Sequence, residues 1–191
     1  MSADPVATAS GSPVTPWTSR WLPVLAVIAV IGLVEGGGKL AGGPAGTAAP
    51  VQEVGGALRI APLPGWAAAE AQGAPHPELT LTRGGVTLDV VAVPGFGGSP
   101  EELATRYANE VLHTRLDDLT IGQPAVGALA SGTPTLRFGY IGVVDGVPVQ
   151  GVVTIAVGET SGAVFDAFAP KGDLAWAGAD LDTMIRDAAV G

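Results

Sequence analysis

Residues 135–157 read TLRFGYIGVVDGVPVQGVVTIAV and carry the clearest strand pattern in the chain. Over residues 135–144, apolar side chains alternate with polar or small ones, which is typical of a β-strand with one buried face. The Asp145-Gly146 dipeptide favours a two-residue hairpin turn, and a second apolar strand is predicted over residues 149–157. This part of the chain therefore predicts a long antiparallel hairpin.

Another hairpin is predicted upstream. Residues 78–83 alternate apolar and polar side chains, Gly84-Gly85 supplies the turn, and an apolar strand returns over residues 86–93. Before this hairpin, residues 62–66 are predicted to form a turn from which Trp66 packs back onto the domain. Further short strands are predicted at residues 58–60, 120–123, 126–129 and 163–168.

Two helices are also predicted. The first begins with a capping box, in which Ser99 is the N-cap, Pro100 takes the first helical position and Glu102 completes the motif. Its apolar residues recur at helical spacing and form one stripe: Leu103, Ala104, Tyr107, Ala108, Val111 and Leu112. Arg115 and the other charged residues of this helix are expected to face water. The second helix is short, has an acidic first turn and covers residues 180–190.

The order of these elements predicts an α+β fold. Two or three strands precede the first helix, and a meander of three or four strands separates it from the second. Hairpins grouped in this way indicate an antiparallel sheet, because strict alternation of strands and helices would favour a parallel one. From the order alone, we expect the capped helix and the C-terminal helix to cover one face of the sheet.

Composition excludes several classes of function. The chain has 191 residues, of which 14% are charged, and a formal net charge of -9. This acidic balance argues against a nucleic acid partner, which needs clustered cations. Because the sequence has no cysteine and only two histidines, disulfides, cysteine nucleophiles and histidine-rich metal sites are excluded. We expect no cofactor, no metal ion and no enzymatic activity.

The N-terminal part of the chain predicts a membrane anchor. Residues 1–20 are rich in Ser, Thr, Pro, Ala and Gly and are interpreted as a disordered tail. Residues 21–35 contain an uncharged apolar run, which indicates a transmembrane helix or signal anchor. Residues 36–57 are a Gly/Ala/Pro-rich linker, and residues 58–191 form the predicted extracytoplasmic α+β domain.

Two other interpretations of the apolar run stay open. A cleaved signal peptide would have its best small-residue site near Ala48-Ala49, well beyond the run and directly before Pro50. A buried core helix is disfavoured by the low-complexity sequence on both sides. As an anchor, residues 21–35 would contact the lipid bilayer and cross the cell membrane once. The N-terminus would then lie inside and the C-terminal domain outside the cytoplasm.

The order of elements resembles the PsbP-like sandwich. The matching features are Pro-Gly-Trp at residues 64–66, the Ser-Pro-Glu-Glu-Leu helix start at residues 99–103, and the Asp145-Gly146 hairpin in a late meander. Within that group, residues 58–190 are similar to the LpqN-type actinobacterial envelope lipoprotein family. The resemblance implies an α/β/α sandwich, an extracytoplasmic location and a binding or accessory role without catalysis. Those lipoproteins are acylated on a cysteine, which this chain lacks, so a protein anchor would have to replace the lipid.

Aromatic side chains are the candidates for a binding site. We expect a small apolar pocket lined by Trp66, Phe96, Phe138, Tyr140 and Trp176, although packing in the core also explains most of them. The expected function is a non-enzymatic module of the cell envelope that binds a protein partner or an apolar ligand. The alternatives are a structural subunit docked to a membrane complex and a cleaved, secreted protein with a small apolar-ligand pocket.

The polar candidates are weaker. Ser99 and Ser131 are disfavoured as nucleophiles, because neither lies in a Gly-x-Ser-x-Gly elbow nor has an obvious base. Asp89 and Asp166 fall inside strand patterns, and Arg137 lies in another strand. These three are either exposed residues of a sheet face or members of a buried cross-strand ion pair.

Overall fold

The structure, a computed structural model, describes residues 50–69 and 78–191. The predicted tail (residues 1–20) and the predicted anchor (residues 21–35) lie outside the described residues, as does most of the predicted linker. Within the described ranges, no helix is both long enough and apolar enough to cross a membrane.

The first described strands belong to a small sheet. Strands β1 (Gln52–Val54) and β2 (Leu58–Ile60) form a hairpin, and β11 (Ala189–Val190) pairs with the other edge of β2. In this small sheet the structure differs from the sequence predictions in two places. β1 lies in the segment predicted as linker, and the predicted terminal helix ends before β11. Both strands are too short to show a sequence period, and β11 pairs with residues from the other end of the domain.

A large antiparallel sheet of eight strands forms the centre of the domain. Its strands are β3 (Ala67–Ala69), β4 (Leu79–Arg83), β5 (Val86–Pro94), β6 (Asp117–Ile121), β7 (Ala125–Ala128), β8 (Pro134–Val144), β9 (Val147–Val157) and β10 (Ser161–Pro170). The strand order is β3-β4-β5-β10-β9-β8-β6, and β7 also pairs with β8. The two predicted hairpins, β4–β5 and β8–β9, are confirmed.

Both hairpin turns have the backbone conformation that their sequences predict. Gly84 and Gly85 have φ values of 53° and 81°, and Asp145 and Gly146 have values of 49° and 82°. Positive φ at both central residues is the mark of a type I′ turn, whose twist matches that of the flanking strands. Glycine and aspartate tolerate this conformation better than β-branched residues do.

The first helix begins where the capping box predicts. Helix α1 (Pro100–Tyr107) has Ser99 as its N-cap, and Ser99 Oγ accepts from the Glu102 N–H at 3.3 Å. The Ser99 N–H donates in return to Glu102 Oε2 at 2.9 Å. The helix continues as a π-helical turn (Ala108–Leu112) and ends with an α-helical turn (His113–Arg115). Residues 100–115 are called the long helix below.

The π-helical turn alters which side chains of the long helix are buried. A π turn contains more residues than an α turn, so it shifts the apolar stripe along the sequence. Leu112 is 0% exposed, whereas Val111 is only partly buried.

The second helix, α2 (Gly178–Arg186), follows a 3-10 turn (Ala175–Ala177) and buries Leu181 and Met184.

The two helices pack on opposite faces of the large sheet. Successive residues of a strand point to opposite faces, and Val164 of β10 packs in the cluster under the long helix. Its neighbour Phe165 packs in the other cluster, together with Leu181 and Met184 of α2. The α/β/α arrangement implied by the resemblance is confirmed. The expectation that both helices cover one face is wrong, because the order of elements does not specify the face on which a helix packs.

Candidate functional site

Helix α2 covers only part of its face of the sheet, and a cleft lies beside it. This apolar cleft has a volume of about 570 Å3, and small-molecule sites are typically clefts of about 300–1,000 Å3. Strands β8 and β9 form its floor, and α2 with the preceding turn forms its wall. Its lining residues are Thr120, Gly122, Arg137, Gly139, Tyr140, Ile141, Gln150, Gly151, Val152, Ala167, Leu174, Ala175, Gly178, Leu181 and Ile185.

Two glycines keep the apolar cleft open. Gly139 lies in the middle of β8, and a Cβ placed on it would have only Gly151 O within 4 Å, at 3.8 Å. A Cβ placed on Gly178, at the start of α2, would meet no atom within 4 Å. Neither residue has a positive φ, so the backbone conformation does not require glycine at either position. The cleft therefore exists in part because these positions carry no side chain.

A smaller cleft of about 300 Å3 adjoins the apolar cleft. Arg137 and Ile185 line both of them. The smaller cleft is also lined by Arg186 and Asp182, so two guanidinium groups and one carboxylate lie in its lining. It is called the arginine cleft below. Arg137 Nη1 donates to Asp182 Oδ1 at 2.7 Å, and the two side chains are 45% and 56% exposed. Arg186 is paired with Asp187, which does not line the cleft. The lining of the arginine cleft therefore has two arginines and one carboxylate, in a chain with a net charge of -9.

The structure does not bring the five predicted pocket residues together. Phe96, Phe138 and Tyr140 lie on the face of the long helix, whereas Trp66 is buried on the face of α2. Trp176 is 48% exposed and has the Arg83 guanidinium 5.5 Å from its ring centre. The large sheet lies between these two groups, because the clusters that contain them pack on its opposite faces. Of the five, Tyr140 alone lines the apolar cleft.

The face under the long helix holds a buried charge cluster, formed by Asp89, Arg115, Asp166, Tyr107 and Tyr140. Asp166 is 0% exposed. Its Oδ2 accepts from Tyr107 Oη at 2.8 Å and from Arg115 Nη2 at 2.6 Å. Its Oδ1 accepts from Tyr140 Oη at 2.9 Å. Both oxygens are therefore hydrogen-bonded, which a buried carboxylate requires.

Asp89 faces Asp166 directly across strands β5 and β10. Thr80 Oγ1 donates to Asp89 Oδ1 at 2.7 Å, and Arg115 Nη1 lies 3.7 Å from Asp89 Oδ2. Burial raises the pKa of Asp89 to about 6, and the charge of Asp166 acts in the same direction. Two carboxylates thus share one cation, which ties the last residue of the long helix to the sheet.

The two tyrosines of the buried charge cluster act as hydrogen-bond donors. Burial, followed by the nearby charge of Asp166, raises the pKa of Tyr107 and Tyr140 above the usual tyrosine value. Both hydroxyls therefore keep their protons at neutral pH. The ring of Tyr140 passes close to Gly151 of β9, where a Cβ would overlap it. Glycine at this position is what allows the hydroxyl to reach Asp166.

The buried charge cluster resolves the alternatives for the charged strand residues. Asp89 and Asp166 belong to a buried ion network, but their cation is Arg115, which was expected to face water. Arg137 lies elsewhere and pairs with Asp182. The sequence feature that could have indicated this network is the presence of an aspartate, Asp89 or Asp166, within each of two apolar strand patterns. Nothing local to Arg115 indicated its partner. In the described part of the chain, no group of three or more His, Asp or Glu side chains is placed to hold a metal ion.

No protein-family model and no curated protein sequence matches the chain. Solved structures do match. CyanoP, the cyanobacterial PsbP of Synechocystis sp. PCC 6803, has a TM-score of 0.57 at 13% identity, covering 81% of this chain and 100% of that chain. LpqN, involved in cell envelope biogenesis of Mycobacterium tuberculosis, has a TM-score of 0.51 at 10% identity, covering 70% and 82%. At these identities the likeness concerns the fold alone, and the described domain has the PsbP-like α+β fold.

Proposed function

We propose that this protein is a membrane-anchored, extracytoplasmic, non-enzymatic binding module of the cell envelope, whose domain takes an apolar ligand in the apolar cleft. The observation that carries the proposal is the cleft itself. It is concave, has the volume of a ligand site and is lined mainly by aliphatic side chains and glycines. A permanently docked structural subunit would instead favour a flat apolar face.

The charged groups of the domain support a binding role over catalysis. Both oxygens of Asp166 are occupied by donors from the protein itself, and the residue has no access to solvent. Asp89 is held by Thr80 and by Arg115. These carboxylates lie on the opposite face of the sheet from the apolar cleft. Ser99 is occupied as a helix cap, and Ser131 Oγ is paired with Thr133 Oγ1 at 2.9 Å.

A substitution that fills the apolar cleft tests whether an apolar ligand binds there. In membranes that contain the full chain, a photoreactive dodecanol probe is expected to label the lining strands β8 and β9 and helix α2. Gly139→Leu is expected to reduce this labelling at least about fivefold, because its side chain would occupy the cleft. The variant is expected to fold, since a Cβ at Gly139 meets no close atom and leucine suits a strand better than glycine does.

Gly97→Leu is the matched control for this experiment. Gly97 is an exposed loop residue without a positive φ, and a Cβ there has no atom within 4 Å. It does not line the cleft, so labelling should stay at the wild-type level. Labelling of the domain (residues 58–191) that falls outside the cleft, or that survives Gly139→Leu in a chain with wild-type melting behaviour, would refute an apolar ligand at this site.

The anchor and the location outside the cytoplasm are tested separately. The support for them is the uncharged apolar run within residues 21–35 and the Gly/Ala/Pro-rich segment that follows it. Protease added to intact cells is expected to degrade the domain and leave a protected fragment that contains the anchor, read out by intact-mass analysis. A domain that stays protected in intact cells, or a chain that begins beyond Ala48, would contradict this part of the proposal.

A further inference from the structure

We propose that the ligand is an anionic amphiphile, whose acyl chain lies in the apolar cleft and whose acidic head group binds Arg137 and Arg186 in the arginine cleft. This inference rests on the proposed function and specifies the chemistry of its ligand. It follows from the position of an apolar cleft directly beside a cleft lined by arginines. Neither cleft alone would indicate a ligand with both a hydrocarbon chain and an acidic head.

The two clefts adjoin each other and share lining residues. Arg137 and Ile185 line both of them, so a single molecule lying along α2 can occupy both. The larger cleft has one charged lining residue, Arg137. The smaller cleft adds Arg186, the hydroxyls of Thr135 and Thr154, and the carboxylate of Asp182, which pairs with Arg137. An apolar space that ends at cationic and hydroxyl groups matches a molecule with a hydrocarbon chain and an acidic head.

Gln150, another polar side chain of the apolar cleft, is already engaged within the protein. With its amide oriented to satisfy both partners, Gln150 accepts from the backbone N–H groups of Gly172 at 3.2 Å and Leu174 at 3.3 Å. Arg137, in contrast, binds only the exposed carboxylate of Asp182 among the described side chains. Arg186 binds its sequence neighbour Asp187, also at the surface.

Exposed ion pairs of this kind exchange partners at little cost. Such pairs contribute little to stability, because water screens them and two long side chains must be held in place. A head group that brings its own negative charge can therefore replace Asp182 as the partner of Arg137. A carboxylate or phosphate accepts two parallel N–H bonds from one guanidinium, which a neutral head group does not match.

A comparison of an acid with its alcohol tests the head group. Photoreactive dodecanoic acid and photoreactive dodecanol differ only at the head, and the acid is ionised at about pH 8. In membranes containing the full chain, the acid is expected to half-saturate labelling of the clefts at about tenfold lower concentration than the alcohol, which equals ~1.4 kcal/mol.

Two substitutions should change the half-saturating concentration of the acid in opposite directions. Arg137→Gln is expected to raise the half-saturating concentration of the acid about fivefold, whereas Asp182→Asn, which frees Arg137, is expected to lower it. Neither change should affect the alcohol. Arg59→Gln is the matched control, because Arg59 is an exposed arginine of β2 that lines neither cleft.

The possible outcomes separate this inference from the function on which it rests. If neither probe labels the clefts, the binding function itself fails. If acid and alcohol label them equally, and Arg137→Gln leaves both unchanged, the cleft binds apolar ligands but the anionic head group is refuted. If Asp182→Asn raises the half-saturating concentration of the acid, Asp182 belongs to the binding site and the proposed exchange of partners is wrong.

Discussion

Replacing Arg115 with methionine is expected to destabilise the domain by about 3–5 kcal/mol, the cost of breaking a buried ion pair. Arg115 is the cation of the buried charge cluster, where it donates to Asp166 at 2.6 Å. Without it, the charges of Asp166 and Asp89 would face each other across β5 and β10 with hydroxyl donors alone. Methionine keeps much of the side-chain volume, so the loss would report mainly on charge. Urea unfolding at neutral pH measures the effect.

A second substitution distinguishes electrostatics from packing. Asp166→Asn removes one of the two opposed charges, so Arg115→Met is expected to cost less in that background than in the wild type. The surface control is Arg186→Met, whose ion pair with Asp187 is more than half exposed on both sides and which should change stability by no more than ~0.5 kcal/mol. Strictly additive effects of Arg115→Met and Asp166→Asn would show that Arg115 does not act through the carboxylate.

The second large effect is a loss of stability as the pH rises from about 4 to about 6, caused by Asp89. Its pKa is about 6 in the folded domain, against about 3.9 for an aspartate in an unfolded chain. Between these values the folded state holds a proton that the unfolded state has released. The free energy of unfolding therefore falls as pH rises, and this contribution levels off above the folded-state pKa. A difference of two pH units corresponds to about 3 kcal/mol at most.

Asp89→Asn isolates this effect from other titrating groups. Asparagine mimics the protonated carboxyl, can still accept from Thr80 and cannot ionise. The expected result is that the fall in stability between about pH 4 and pH 6 is much smaller in Asp89→Asn than in the wild type. Asp187→Asn, at an exposed position, should retain the wild-type slope between those pH values. Equal slopes for the wild type and Asp89→Asn would contradict a raised pKa at Asp89.

The elements that could be predicted from sequence are those with a local signal. The capping box at Ser99 and Glu102, and the two hairpin turns, are determined by neighbouring residues and were found where expected. Strands β4, β5, β8 and β9 carry apolar patterns long enough to recognise. The short strands β1, β3 and β11 have two or three residues each, and they are held by pairing with partners that the local sequence does not reveal.

The candidate site could be predicted only in part. It depends on which face of the sheet each side chain occupies and on contacts between residues far apart in the sequence. The face that a side chain occupies decides whether it lines a cleft. Four of the five predicted aromatic residues divide between two faces, and Trp176 is half exposed. The apolar cleft is instead marked by what is missing, notably the side chain at Gly139. A glycine within a strand indicates close backbone approach, a bulge or open space, and sequence alone does not distinguish among them. The link between Arg115 and Asp166 joins elements far apart in the chain.

The small sheet also constrains how the chain completes its fold during synthesis. Strand β2 is paired on one side by the adjacent β1 and on the other by residues 189–190. A nascent polypeptide can form the β1–β2 hairpin early, but that hairpin keeps an unpaired edge until Val190 has left the ribosome. All strands of the large sheet will by then have been available for some time. Closure of this edge is therefore a late event, and chaperone or protease access to β2 should end only after residues 189–190 have emerged and paired with it.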